Sequence, residues 1–304
     1  MVHRVRAMST AEDSPPLIRV DGLTKRFGDR TVIDSLSLTI ERGETVVVIG
    51  GSGSGKTTFA RMLVCLDRPT SGTVFVDGVD LMAQSDAELT RLRRRFAMVF
   101  QHHSLLDSLS VFDNVAFPLR EETDFDEEEI AARVMRALRE LGVEQAAHKL
   151  PGQLSGGMAK RVGIARAVVI EPEILVYDEP TSGLDPISSR QVDRLIEHMR
   201  ETYFVTSVVI THDMVTAYEV ADRVLLLAGG KIVADGDPEV VFRSHDDAIR
   251  PFAMSSGVDL DKLAPRAARK TVAEIRAGWV ASHPKDDGPK PGWFSSWWRA
   301  LSDR

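Results

Sequence analysis

An α/β fold built around a nucleotide-phosphate loop is predicted by two observations. The segment GGSGSGKTT at 50–58 sits between an apolar strand, Thr45–Ile49, and a helical pattern that begins near Lys56. A second apolar run, Ile174 to Tyr177, ends in the adjacent carboxylates Asp178 and Glu179. Such a run reads as a buried parallel strand, and open α/β sheets place ligands at the carboxyl ends of their strands.

The first segment fits G-x-x-x-x-G-K-[ST]. Its glycines let successive backbone N–H groups converge on phosphate oxygens, and the following helix adds the positive end of its dipole. The nucleotide-binding candidates are therefore Gly50, Gly51, Ser52, Gly53, Ser54, Gly55, Lys56, Thr57 and Thr58. Lys56 is expected to reach the β- and γ-phosphates of ATP and Thr57 to hold Mg²⁺. Asp178 fits the acid that orients the Mg²⁺ shell, and Glu179 the group that polarises the attacking water. Alone, a glycine loop can be accidental and an acidic pair at a strand end merely solvated; together they select the catalytic reading.

The elements follow in order. LIRVDGLTKRF and TVIDSLSLTI alternate as β segments, and TVFVDGVDL follows the phosphate-loop helix. DEEEIAARVMRALREL at 126–141 is the clearest helix: Asp126 and Glu129 suggest a capping box, Ile130, Val134, Leu138 and Leu141 make one face, and Gly142 ends it. Ala159 to Val169 is again helical, as is Ser188–Thr202. Ser207–Ile210 is a strand, and RVLLLAGGKIVADG closes the β-rich part.

The string LSGGM at 154–158 resembles the signature segment of ATP-binding-cassette (ABC) ATPases, whose usual form ends in Gln. The resemblance covers about residues 17–245. It implies an ABC-type P-loop domain with a RecA-like core, an antiparallel β subdomain, and a helical subdomain at about 102–165. It also implies that Ser155, Gly156, Gly157 and Met158 cap the γ-phosphate held by a second copy, so that a head-to-tail homodimer forms two composite sites. By the same resemblance Phe27 stacks on adenine, Gln101 senses Mg²⁺ and the water, Asp185 of SGLD lies at the dimer interface, and His212 contacts the γ-phosphate. Taken singly, Phe27 reads as core and His212 as an ordinary strand-end histidine; the shared order supports the functional roles. His102, His103 and the lone Cys65 read as structural.

Composition sets the outer limits. A chain of 304 residues with 43% hydrophobic and 27% charged residues reads as an ordinary soluble protein with a substantial core. A net charge of −7 argues against nucleic-acid binding, and a single cysteine fits a reducing cytoplasm. No stretch reaches a membrane span. Residues 1–16 read as a flexible lead-in, and 246–304 as a C-terminal extension that holds Trp279, Trp293, Trp297 and Trp298. In that extension 285–292 is linker-like, and 293–301 has aromatic residues at helical spacing.

The interval from Gln101 to Ser155 is too short for the coiled coil of chromosome-maintenance ATPases, and the chain has one cassette where translation factors have two. A transporter motor, peripheral on the cytoplasmic face of the inner membrane and bound to permease subunits, is the class implied. VFDNVAFPLREET at 111–123, Met158 and IRPFAMSSG at 249–257 are similar to ATPases of the Mla and MCE-type phospholipid transporters, which implies an MCE-domain lipid-binding partner. The alternative is an amino-acid-type solute importer, and after it a non-transport ABC ATPase.

Overall fold

The computed structural model describes residues 15–101, 104–243, 249, 266 and 269–282. The readings made for residues 1–14, for His102 and His103, for most of 249–257, and for the linker and aromatic tail at 285–304 lie outside the described residues.

Two sheets organise the fold. In the first, β1 (Ile18–Phe27) pairs antiparallel with β2 (Arg30–Ile40) and with β4 (Ser71–Val76), and β5 (Val79–Asp80) completes the order β2-β1-β4-β5. Alternation on β1 buries Ile18, Val20 and Leu23 against Ile33, Leu36 and Ile40 of β2. The second sheet has the order β10-β9-β3-β8-β7-β6. Its members are β3 (Thr45–Ile49), β6 (Phe96–Val99), β7 (Ile174–Asp178), β8 (Thr206–Ile210), β9 (Arg223–Ala228) and β10 (Lys231–Gly236). All pair in parallel except the β9–β10 hairpin. β3, β7 and β8 are buried along their whole length, because helices or the antiparallel sheet cover both faces.

Helix α1 (Lys56–Leu63) leaves β3 through the glycine loop, and α2 (Asp86–Arg93) precedes β6. A helical layer follows: α3 (Val111–Glu122), α4 (Glu127–Glu140) and α5 (Gly156–Val168), packed through Val115, Leu119, Ile130, Val134, Leu138 and Val162. The expected face of α4 is buried and Gly142 ends it at φ 62°. Its capping box is only half made: Asp126 accepts from the Glu129 N–H at 2.8 Å, while the Glu129 carboxylate pairs with Arg133 at 2.9 Å. A guanidinium one turn away outcompetes a backbone N–H for that carboxylate.

Helix α6 (Pro186–Tyr203) starts two residues before the expected Ser188, since Asp185 caps it and Pro186 suits the first helical position. Likewise α5 begins at Gly156, directly behind its Ser155 cap, rather than at Ala159. Helices α7 (Met214–Val220), α8 (Pro238–Arg243) and α9 (Val272–Ser282) are the remaining helices among the described residues.

Residues 266 and 269–282 dock on this two-sheet body. Ile275 and Trp279 are 4% exposed, and the Trp279 ring stacks on Phe204 at 6.4 Å between centroids. Phe204 in turn lies on Gly43, where a Cβ would come 2.2 Å from the ring. Arg200 is wholly buried and bonds Asp222 at 2.6 and 2.9 Å and the Lys270 carbonyl at 2.9 Å. Asp222 also accepts from the Thr45 N–H at 2.8 Å, and Arg269 donates to the Ala221 carbonyl at 2.6 Å. The start of β3 is thus held by the late part of the chain.

Candidate functional site

The phosphate loop is shaped by what presses on it. At Gly55, with φ 106°, a Cβ would lie 2.6 Å from Ile33 Cδ1 and 2.8 Å from the Val32 carbonyl, so only glycine lets β2 approach. Ser85, Ser110, Asp126, Ser155, Asp185 and Asp213 each cap a helix with a side chain, but Gly55 brings none to α1. The first-turn N–H groups of α1 are therefore left to an anion. Lys56 folds back over the loop, donating to the carbonyls of Gly50 at 2.8 Å and Gly51 at 3.1 Å. Burial lowers the pKa of its ammonium, and the charges of Glu179 and Asp178 oppose that shift.

Across the loop, the parallel pairing of β7 with β8 brings Asp178 level with Ile210. The Thr57 hydroxyl donates to Asp178 Oδ1 at 3.3 Å. Burial raises the pKa of the Asp178 carboxyl, and the Thr57 hydrogen bond works against it. Glu179 follows in the left-handed region at φ 52°, a conformation that costs a non-glycine residue on the order of 1–2 kcal/mol. Its N–H is fixed to the Ile210 carbonyl at 2.8 Å. That turn carries its carboxylate to His212, with Oε2 2.7 Å from Nδ1 and 3.3 Å from the backbone nitrogen. The His212 side chain is 63% exposed, so it is no core histidine.

Phe27 ends β1 with 54% exposure, with Lys25 Nζ 5.1 Å from its ring centroid, so it too is no core residue. Gln101 is exposed just beyond β6. Its carbonyl accepts from Lys160, whose ammonium also donates to the Glu179 carbonyl at 3.2 Å. Sequence reasoning missed Lys160. The available signal was a lysine heading the buried stripe Lys160, Gly163, Ile164 and Ala167 of α5.

The remaining candidates form a second group. Ser155 caps α5 by accepting from the Met158 N–H at 3.3 Å. Gly157 faces Ser188, where a Cβ would sit 3.2 Å from the hydroxyl, and Ser188 in turn donates to Asp185 at 2.6 Å. The Ser188 hydrogen bonds hold the Asp185 carboxyl below its usual range. The structure thus unites Lys56, Thr57, Asp178, Glu179 and His212, and sets Ser155–Met158 beside Asp185. No hydrogen bond among the described residues joins Ser155–Met158 to the phosphate loop. An apolar cleft between Ala137, Val168, Leu175, Met199 and Tyr203 shares no residue with either group; Arg133 and Glu171, 2.7 Å apart, are on its wall.

The pattern of the ABC transporter family matches residues 33–182. The intermembrane phospholipid transport system ATP-binding protein MlaF of Haemophilus influenzae is 38% identical over 78% of this chain and 89% of its own. The "Probable ribonucleotide transport ATP-binding protein mkl" of Mycobacterium tuberculosis is 37% identical over 88% of this chain and 74% of its own. A methionine import ATP-binding protein, MetN of Carboxydothermus hydrogenoformans, is 45% identical over 69% of this chain and 62% of its own. Among solved structures, a dimeric ATP-binding cassette in a post-hydrolysis state with ADP and Pi matches at TM-score 0.68 and 33% identity, over 73% of this chain and 98% of that one.

Proposed function

Since the chain belongs to the ABC transporter ATP-binding family and is its ATP-hydrolysing motor subunit, we propose that it works as a head-to-tail homodimer that drives phospholipid transport through permease subunits. The observation that carries the hydrolytic part is the Glu179 carboxylate, held 2.7 Å from His212 by a left-handed backbone one residue after the Thr57–Asp178 pair.

In this reading Lys56 leaves its loop carbonyls for the β- and γ-phosphates, and Phe27 offers its exposed ring to adenine. Thr57 and Asp178 supply hard oxygen donors 3.3 Å apart, a donor set that fits Mg²⁺, with Gln101 completing the shell. Bound there, Mg²⁺ would supply positive charge to offset the negative charge that develops on the phosphate groups during transfer. Glu179 orients and polarises the attacking water, and His212 steadies both that carboxylate and the γ-phosphate. Ser155 and Gly157, at the N-terminus of α5, serve the nucleotide of the second subunit, and Asp185 lies at the joint between the two. Replacing Glu179 by glutamine should retain ATP binding and cut turnover by at least about 100-fold. Near-normal hydrolysis by that variant would remove the assignment.

The lipid reading is supported by the extent of the MlaF match, which spans most of both chains, whereas the MetN match leaves more than a third of that protein uncovered. Phe117 on α3 and Leu106 before it are exposed apolar residues in the layer where a permease would dock. Among the described residues no helix is long and apolar enough to cross a membrane. A peripheral place on the cytoplasmic face of the inner membrane, beside a permease and an MCE-domain protein, follows from this reading. Purification from membranes with mass spectrometry of proteins and lipids tests it. A solute permease with a periplasmic binding protein in place of an MCE-domain protein would favour the importer alternative.

A further inference from the structure

The geometry points to Lys160 as a positioning residue for hydrolysis, tying helix α5 to the peptide of Glu179 and to the segment of Gln101. This rests on the reading of Glu179 as the hydrolytic carboxylate. Lys160 is 2% exposed and lies on the buried face of α5, one turn after the Ser155 cap. Its ammonium spans two carbonyls from separate strand ends: that of Gln101, just after β6, and that of Glu179, just after β7.

A buried ammonium is costly unless its donors are satisfied and opposite charge is near. Here burial lowers the Lys160 pKa, and the nearby carboxylates of Glu179 and Asp178 resist that shift. The cation therefore lies near the two carboxylates and is bonded to main chain; an apolar side chain would avoid burying a charge but would leave both carbonyls without this donor. What the charge adds is orientation. The Glu179 peptide is held on both sides, its N–H by the Ile210 carbonyl at 2.8 Å and its own carbonyl by Lys160 at 3.2 Å. Those two bonds oppose relaxation of its φ of 52° toward the ordinary regions. The same side chain carries the link onward. Ser155 and Lys160 are on one helix, so a force on the N-terminus of α5 reaches the Glu179 backbone of the same subunit through one rigid element. Binding of a second copy's nucleotide at Ser155 would then be read at Glu179.

The test is steady-state ATP hydrolysis by the full chain for Lys160→Met, Lys160→Arg and Glu179→Gln, with nucleotide affinity and thermal midpoint measured on each. Loss of charged hydrogen bonds that act only on geometry should lower kcat of the Met variant about 30-fold, or about 2 kcal/mol in the barrier, with KM for ATP unchanged. Arginine, which can span both carbonyls, should restore most of kcat. A Met variant that binds ATP and melts like the parent yet turns over normally overturns the inference. So does an Arg variant that folds and binds ATP but is as slow as Met. A parallel fall in affinity and melting temperature assigns Lys160 to stability alone and equally overturns it. If Glu179→Gln stays active, the carboxylate reading itself fails; if it is inactive while Lys160→Met is normal, only the positioning role does.

Discussion

Trp279→Ala measures whether the docked segment at 269–282 is part of the cooperative fold. The side chain is 4% exposed, stacks on Phe204, and shares the large core with Ile275. A buried tryptophan takes roughly 200 Å² out of water, which at about 25 cal/mol per Å² is a ceiling near 5 kcal/mol. Compactness of the denatured chain and partial collapse of the cavity reduce this to about 3–4 kcal/mol. For a domain of this size each kcal/mol moves the melting midpoint by about 2–4 °C, so the variant should melt roughly 10 °C lower. Urea unfolding followed by circular dichroism gives the free energy directly, and ATP binding checks that the phosphate loop survives. A loss below about 1 kcal/mol would be that of an ordinary surface change and would refute the packing argument.

Two further outcomes follow. Ser155→Arg and Lys56→Ala subunits, each inactive alone, should recover hydrolysis when mixed, because a mixed dimer of the head-to-tail kind retains one intact composite site; mixtures no better than either parent would count against that pairing. Stability should also fall as pH rises from about 4.5 to 7. The buried Glu44 carboxyl, which accepts from the Glu41 N–H at 2.7 Å, is raised by burial from 4.5 to about 7. The fold thus holds a proton that the unfolded chain releases, a contribution present below 4.5, lost through 7, and worth at most about 3 kcal/mol. Glu44→Gln should flatten that part of the stability profile, and an unchanged slope in pH-dependent urea melts would refute it.

The candidate nucleotide site is legible because its residues cluster locally. Gly50–Thr58 and Asp178–Glu179 each carry strand, turn and functional group within a few residues, and parallel pairing then leaves little freedom in how they meet. What escaped depends on tertiary pairing. The left-handed turn at Glu179 has no glycine or asparagine to announce it, and Lys160 on a helix usually means a solvated face. Trp279 stood among the tail tryptophans, yet Phe204 and Gly43, far away in sequence, decide where it goes. The early start of α6 is readable in Asp185–Pro186, but the SGLD resemblance draws Asp185 into an interface motif instead of a cap.

The strand that feeds the phosphate loop has no neighbour close to it in sequence. Thr45 pairs with Ser207 on one side and Val46 with Arg223 on the other. On a ribosome adding about 5–20 residues per second, β3 emerges on the order of ten to thirty seconds before either partner exists. Through that interval the apolar run TVVVI is an open sheet edge on both sides. The antiparallel hairpin of β1 and β2, complete before β3 is made, offers an early surface for Val46 and Val48, which join its cluster in the finished molecule. Ordering of the nucleotide site is in this sense a late event in biosynthesis, and a nascent chain arrested before β8 would expose its aggregation-prone segment while already carrying the entire phosphate loop.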